Sequence, residues 1–492
     1  MTSEHAVSLD WKKVDWTRLI AMFAGIGLFL AVYFSPPWPD AVDPVGKHFA
    51  LSKEGKGALA VFLWAGTWWV FEVIPIGITS LLIGVLQALF LIRPAKEAFR
   101  DFMDPAVLFI FASLVIGLVF NKTGLTKRMA YKMLTLVGEK TTTIYLGLFI
   151  LIALLTHIMA HTGVAATVYP LLLAIYGLYG EEDKKTKFGK GLFMGMAYVC
   201  GAGSIITLLG SARAIVALGF FKQMAGKDIS FFELSWYMAP VGWLMIFALW
   251  GFFVVFFRPE KAVISGLRER VRELSSELGP LRRNEIISLV IIVAAISIMS
   301  LQLMIPALRA LDKSAIFLVS TILFFVLNIL DINDLEVIPW NIILLFAGAM
   351  SIGYCLWETA AAQWLAVNWL ALFKDAHWFV FVMSIAFFVM IMTNFIMNVA
   401  AIAISLPVAL VIAKYLGVAP EVVMYASLVT AGMPFILLVG AAPNAIAYDS
   451  KQFTSGEFFA WGIPASIILL IVVGLAVAVI WPLQGMPITL PK

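Results

Sequence analysis

The chain has 492 residues, 62% hydrophobic and 13% charged, with a formal net charge of +4 and a mean hydropathy of +0.97. A soluble domain carries about 25% charge, so charge this sparse could not coat a water-soluble protein of this size. Two cysteines, Cys200 and Cys355, offer neither a disulfide framework nor a metal spacing, and the lack of a Walker loop or nucleotide fingerprint disfavours ATP-driven pumping by this chain.

Apolar residues fall in long blocks, such as 19–33, 58–70 and 286–303. Blocks near the ~20 residues that cross a ~30 Å hydrocarbon core read as spanning helices. Lipid gives backbone groups no partner, so crossings are helices or a closed barrel. Period-2 alternation is missing, which removes the barrel. Residues 1–18 are polar, lack a small-residue cleavage site and run into a full-length span, so no cleavable signal peptide is read there.

In chain order, crossings are expected near 19–34, 57–73, 77–93, 105–121, 191–220, 236–257, 286–304, 314–331, 339–356, 419–447 and 460–481. Two more apolar segments, 143–179 and 376–413, are too long for one span and too short for two full ones. Each is broken at its middle by polar or small residues. They read as re-entrant hairpins, which lipid tolerates only where protein buries the tip.

Lys and Arg set the orientation. Inner segments carry Lys12, Lys13 and Arg18, then Lys122, Lys127, Arg128, Lys132 and Lys140, then Lys184, Lys185, Lys187 and Lys190, then the basic run from Arg258 to Arg283. This places the amino terminus in the cytoplasm and the carboxyl terminus outside, in a cell inner or plasma membrane.

The two halves are related. Thr156-His-Ile-Met-Ala-His-Thr-Gly with Pro170 parallels Thr393-Asn-Phe-Ile-Met-Asn-Val-Ala with Pro407, at a common offset of 237. Gly210-Ser-Ala-Arg-Ala matches Gly440-Ala-Ala-Pro-Asn, and Glu233 with Pro240 matches Glu457 with Pro464. Five crossings per repeat, an odd number, turn the second copy upside down. The expected fold is therefore an all-α membrane protein of about 11 transmembrane helices plus two re-entrant hairpins in two inverted repeats. Its parts are an N-terminal segment with the first helix (1–56), a first repeat (57–257), a charged cytoplasmic linker (258–285) and a second repeat (286–492).

Four breaks converge by this logic: hairpin tips at 160–163 and 397–400, and interrupted helices at 201–214 and 440–444. Half-helix starts expose N–H groups that attract carboxylate or sulfate, and half-helix ends expose carbonyls that hold a cation.

The chain resembles the divalent anion:sodium symporter family, carriers of dicarboxylates, citrate or sulfate. The likeness runs from Ala58 onward. It rests on Trp68-Trp69-Val-Phe-Glu72-Val-Ile-Pro75-Ile-Gly-Ile-Thr79, on Ile338-Pro-Trp-Asn-Ile-Ile-Leu-Leu-Phe346-Ala-Gly348 and on Ala442-Pro443-Asn444-Ala445-Ile446. The resemblance implies a homodimer in which a mobile transport part rides like an elevator against a scaffold. It implies no cofactor, with Na+ as a candidate coupling ion. Glu72 is expected to tie helix ends together within the scaffold.

The family's Ser-Asn-Thr at each hairpin tip is altered here to Ala160-His161-Thr162 and Met397-Asn398-Val399, and its Gly-Thr-Pro-Pro-Asn appears as Gly210-Ser211-Ala212-Arg213-Ala214. Candidate substrate-binding residues are His161, Thr162, Gly163, Ser211, Arg213, Asn398, Pro443 and Asn444. Candidate sodium ligands are Thr156, Thr393 and Asn398. Arg213 is expected as a buried guanidinium near the anion, supplying charge that a sodium ion otherwise brings. His161 replaces an amide whose carbonyl could help ligate sodium, and a histidine there could instead titrate near neutral pH.

The expected function is secondary transport of a small divalent organic anion, C4 dicarboxylate-like, with sodium-independent exchange or proton coupling made plausible by these changes. A sodium-coupled carrier of sulfate or another inorganic anion is the alternative. The partners are the anionic solute, the lipid bilayer and a second copy, and not nucleic acid. A cation antiporter is disfavoured because 200–214 and 440–447 hold no Asp or Glu. An intramembrane enzyme would need companions for His161 that the sequence does not offer. Dead-end hairpin tips argue against a channel.

Overall fold

The computed structural model describes residues 16–42, 48–180, 185–302, 305–373, 377–395 and 397–490. Lys12, Lys13 and Lys184, used above for orientation, lie outside them. The chain opens with α1 (Trp16–Tyr33) and a small antiparallel pair, β1 (Ala41–Val42) on β2 (His48–Phe49). Then come α2 (Lys53–Val70), α3 (Ile76–Leu89), α4 (Ala95–Arg100), α5 (Pro105–Thr123) and α6 (Leu125–Val137). The first hairpin is α7 (Thr141–Thr156) with α8 (His161–Tyr179), followed by α9 (Lys187–Gly203), α10 (Ala212–Ala225) and α11 (Phe231–Phe256). A charged surface helix, α12 (Leu267–Glu277), leads to α13 (Arg283–Leu301), α14 (Pro306–Arg309), α15 (Lys313–Val326), α16 (Trp340–Glu358) and α17 (Ala361–Phe373). The second hairpin is α18 (Trp378–Phe395) with α19 (Asn398–Tyr415), and α20 (Pro420–Ala431), α21 (Ala442–Tyr448) and α22 (Ser455–Leu475) complete the bundle.

Nine stretches among the described residues have the length and apolarity of a membrane crossing. They include α8, α18 and α19, so these hairpin arms are longer than the sequence suggested. The first tip consumes only residues 157–160, which leaves nearly the whole segment helical. Lipid exposure is visible along α22: Ile463, Ile467 and Ile471, one turn apart, are all exposed, while Phe458, Gly462, Ala465 and Leu469 on its other side are buried. In water such a stripe would be an aggregation surface. In hydrocarbon it costs nothing.

The order of elements repeats, and so does their packing. α3 packs on α16 as α15 packs on α5; α8 packs on α21 as α19 packs on α10; α9 packs on α21 as α20 packs on α10. Exchanging the halves turns each contact into its partner. The matched Glu and Pro of the sequence are also accounted for. Ser230 and Thr454 cap α11 and α22 by accepting the N–H of Glu233 and Glu457, and each helix then carries its internal proline.

Two of the family-like motifs meet directly. Gly77 N donates to Asn341 Oδ1 at 2.8 Å, and a Cβ on Gly348 would lie 2.4 Å from Ser80 Cβ, so α3 and α16 touch backbone to backbone. Glu72, expected to tie helix ends, is instead exposed at a turn with φ 44°. The joining falls to Gly77 and Asn341. At the other end of this helix pair the buried Arg93 reaches Asp101 at 2.6 Å and Glu358 at 2.7 Å, fastening the loop after α3 to the end of α16.

Two helices of 13 residues went unread in the sequence, α6 and α17, besides the short α4 and α14. α6 is amphipathic: Leu125, Ala130 and Leu134 are buried, while the solvent side carries Lys127 and Lys132. A short helix with charges on one side gives no spanning signal.

Candidate functional site: the hairpin cavity

A cavity of about 300 Å³ lies where the two hairpin tips meet α5 and the start of α16. The tips contribute Met159–Gly163 on one side and Met397 with Asn398 on the other. The breaks contribute Ala212 and 440–442, and α5 with residues 337–346 closes the wall.

His161, Thr162, Gly163 and Asn398 all line this one cavity. Neither the Thr162 hydroxyl nor the Asn398 amide makes a hydrogen bond among the described residues, so both are available to a ligand. The cavity lies at the starts of α8, α10 and α19. First-turn N–H groups have no preceding turn to bond, and the dipoles present their positive ends there. Among the described residues no Asp, Glu, Lys or Arg lines the cavity. An anion placed there would meet only backbone ends and neutral donors. Much of the remaining wall is apolar, including Leu114, Leu118, Ile342 and Phe346.

His161 is held to the first break: its N–H and its Nδ1 both lie 3.3 Å from Gly210 O. With Nδ1–H donating, Nε2 is the atom left for the cavity. Thr207 Oγ1 donates to His157 O at 2.7 Å, a second tie between tip and break.

Ser211, Arg213, Pro443 and Asn444 stand behind the cavity wall instead of on it. Ser211 Oγ is buried and has no hydrogen-bond partner among the described residues. Arg213 is 1% exposed and donates from Nη2 to Ser204 Oγ at 2.9 Å. Pro443 opens α21. Asn444 donates to Pro434 O and Leu437 O at 2.8 and 3.1 Å, bracing the second break. The threonines expected to hold sodium are both buried: Thr156 Oγ1 donates to Ala153 O, and Thr393 Oγ1 to Ala431 O at the end of α20. Each hydroxyl oxygen keeps lone pairs for a cation.

Three residues that matter were missed. Asn394 accepts from Ile436 N and Leu437 N at 2.8 and 3.1 Å and so shapes the second break. Ser113 and Asn121 line the cavity from α5. Polar residues inside an apolar span were the available signal.

Residues 16–486 match the family described as the sodium:sulfate symporter transmembrane region. The chain belongs to that family. Curated relatives include the sodium-dependent dicarboxylate transporter SdcS of Staphylococcus saprophyticus, 24% identical over 463 residues (90% of this chain, 89% of SdcS). SdcS of Staphylococcus aureus is 25% identical over 486 residues, covering 92% and 90% of the two chains. Among solved structures, Neisseria gonorrhoeae MtrF, described within a class of antimetabolite efflux pumps, superposes with a TM-score of 0.56 at 13% identity over 93% of each chain. That likeness concerns the fold. As a member of the symporter family the chain is a multi-pass membrane transporter and not an enzyme.

Proposed function

We propose that this transporter carries small divalent organic anions of the C4 dicarboxylate class, bound between the hairpin tips. The observation that carries the reading is that Thr162 and Asn398, one from each half, face a single cavity at the starts of α8 and α19. Three aligned helix starts supply donors for carboxylates, and the apolar wall suits a carbon skeleton between them. The names of the staphylococcal relatives point the same way. A sulfate ion would leave that apolar wall unused, which makes the inorganic-anion reading second.

The two repeats, 57–257 and 286–492, are proposed to be inverted, with the amino terminus cytoplasmic and the carboxyl terminus outside. The hairpins and broken helices move together as the elevator. α3, α5, α15 and α16 stay with the scaffold, and a homodimer holds that scaffold still. A coupling sodium is proposed at the second break, where Thr393 Oγ1 meets the carbonyl end of α20 and Asn398 lies at the neighbouring tip.

Counterflow in proteoliposomes tests the reading. Saturable exchange of labelled succinate, competed by fumarate and not by a monocarboxylate, is expected. Flux that fails to saturate would make the protein a channel, and exchange of sulfate alone would favour the second reading. Uptake driven by a pH gradient instead of sodium would move the coupling to His161.

A further inference from the structure

The hairpin cavity shares three helices with a second cavity of about 640 Å³. The hairpin cavity takes Leu118 and Asn121 from α5, Ala212 from α10 and Ile342 with Phe346 from α16. The second takes Ala106 and Phe109, Leu218 and Lys222, and Tyr354 with Glu358 from the other ends of the same helices, and no lining residue is common to both. The two thus lie in file between α10 and the α5–α16 pair. The hairpin cavity has its mouth at Asn121 and Val337, both exposed, and does not reach the second.

Beside the second cavity α10 is interlocked with α16. The Phe220 ring, 1% exposed, rests directly on the backbone of Gly353: a Cβ there would lie 2.1 Å from Cζ and 2.2 Å from Cε1. In return a Cβ on Gly219 would lie 2.7 Å from Met350 Cε. Tyr354 backs the notch, edge to face with Phe220 at 5.7 Å and donating to Asp104, the cap of α5, at 3.3 Å. The neighbouring positions on this face do not admit the ring, because Ala349 and Trp357, one turn to either side, both carry the Cβ that Gly353 lacks. A second tie lies just beyond. Lys313, the first residue of α15, reaches Asp228 Oδ1 at 2.8 Å and donates to Ile229 O, in the loop that follows α10. Lys222 of α10 holds the other oxygen of Asp228 at 3.0 Å. Asp228 is half exposed, and an ion pair open to water is weak enough to break in every cycle.

We propose that the Phe220 ring in the Gly353 notch, together with the Lys313–Asp228 pair, is a detent that holds α10 against the scaffold with the hairpin cavity open toward Asn121 and Val337. The proposal rests on the elevator reading above and deepens it by naming what fixes the resting position. A sliding surface of uniform side chains would favour no position; a single glycine on this face of α16 favours one. Opening the opposite side requires the ring to leave the notch and Lys313 to release Asp228. Loss of either shifts the population toward the opposite state.

The test uses the full chain with Cys200 and Cys355 replaced by Ser, in proteoliposomes of one orientation, and a membrane-impermeant thiol reagent applied from each side in turn. Val337→Cys, at the exposed mouth, marks its own side. Met397→Cys, inside the cavity, should react about tenfold or more faster from that side than from the other. Adding Phe220→Ala or Lys313→Ala should bring the two rates toward parity, and Lys313→Arg, which keeps the pair, should preserve the ratio. Equal rates in the parent, or a ratio that neither alanine variant changes, would overturn the detent. Should Phe220→Ala not fold, Lys313→Ala decides alone. A short bismaleimide between Lys313→Cys and Asp228→Cys judges the elevator separately: succinate exchange should stop on cross-linking. Exchange that survives the cross-link fells the elevator reading and the detent with it. Exchange that stops while the labelling ratio ignores both alanine variants fells the detent alone.

Discussion

Gly210→Ala probes the joint between hairpin and broken helix. A Cβ on Gly210 would lie 2.2 Å from Thr156 O and 2.9 Å from both Cα and O of Ser204. All three atoms are backbone, so no side chain can swing away. Tip and break must separate by about 0.8 Å to bring the nearest contact to even 3.0 Å. Overpacking against a well-packed interior costs about 1–3 kcal/mol, and rigid neighbours on both sides put this case at the upper end. The Gly210 carbonyl also receives His161, so the same shift moves a cavity-lining residue. Thermal unfolding of the purified protein should show a clear fall in Tm for Gly210→Ala, and succinate counterflow should fall with it. Gly27→Ala is the control: a Cβ there meets nothing within 4 Å, and both properties should be retained. The second half repeats the contact, since a Cβ on Gly440 would lie 2.8 Å from Thr393 O. A Gly210→Ala protein as stable and as active as Gly27→Ala would refute the close packing of tip on break.

Thr162→Ala and Asn398→Ala should each weaken succinate binding about 10- to 100-fold, the worth of one hydrogen bond to a charged ligand, with Tm unchanged in the absence of substrate; isothermal titration measures it. Arg93→Met strands the buried Asp101 and should destabilise the scaffold by about 3–5 kcal/mol, read as loss of monodisperse protein on size exclusion. Glu260 accepts from Lys187 N at 2.6 Å, Phe188 N at 3.3 Å and the Tyr179 hydroxyl at 3.0 Å. Partial burial works to raise its pKa, but these hydrogen bonds at the start of α9 win and hold it below the ordinary glutamate value. Its stabilising contribution is therefore complete above the unfolded-state pKa and is lost as pH falls through the lower folded-state value. Glu260→Gln should remove that part of the acid sensitivity in Tm measured from neutral to acidic pH.

Much of this architecture was legible because lipid leaves a chain few options. Apolar blocks had to be helices, and the offset of 237 between Thr156 and Thr393 exposed the repeat without any alignment of relatives. The same offset led to His161, Thr162 and Asn398, which do share a cavity. What a one-dimensional pattern could not give was direction. Arg213 was expected to face the anion, yet its side chain turns back to Ser204 and Gly432, away from the helix start that repels it. Asn444 likewise reads as a ligand in a motif and acts as a brace in space. α6 escaped because charges along one side give no spanning signal, and α17 because its 13 residues fall short of a crossing.

Substrate protection of an engineered thiol addresses the bound anion itself. In Asn398→Cys with Cys200 and Cys355 replaced by Ser, modification by a membrane-permeant maleimide should slow sharply as succinate is raised, and a monocarboxylate should have no effect. A labelling rate indifferent to saturating succinate, in vesicles that still exchange it, would place the anion somewhere other than between the hairpin tips.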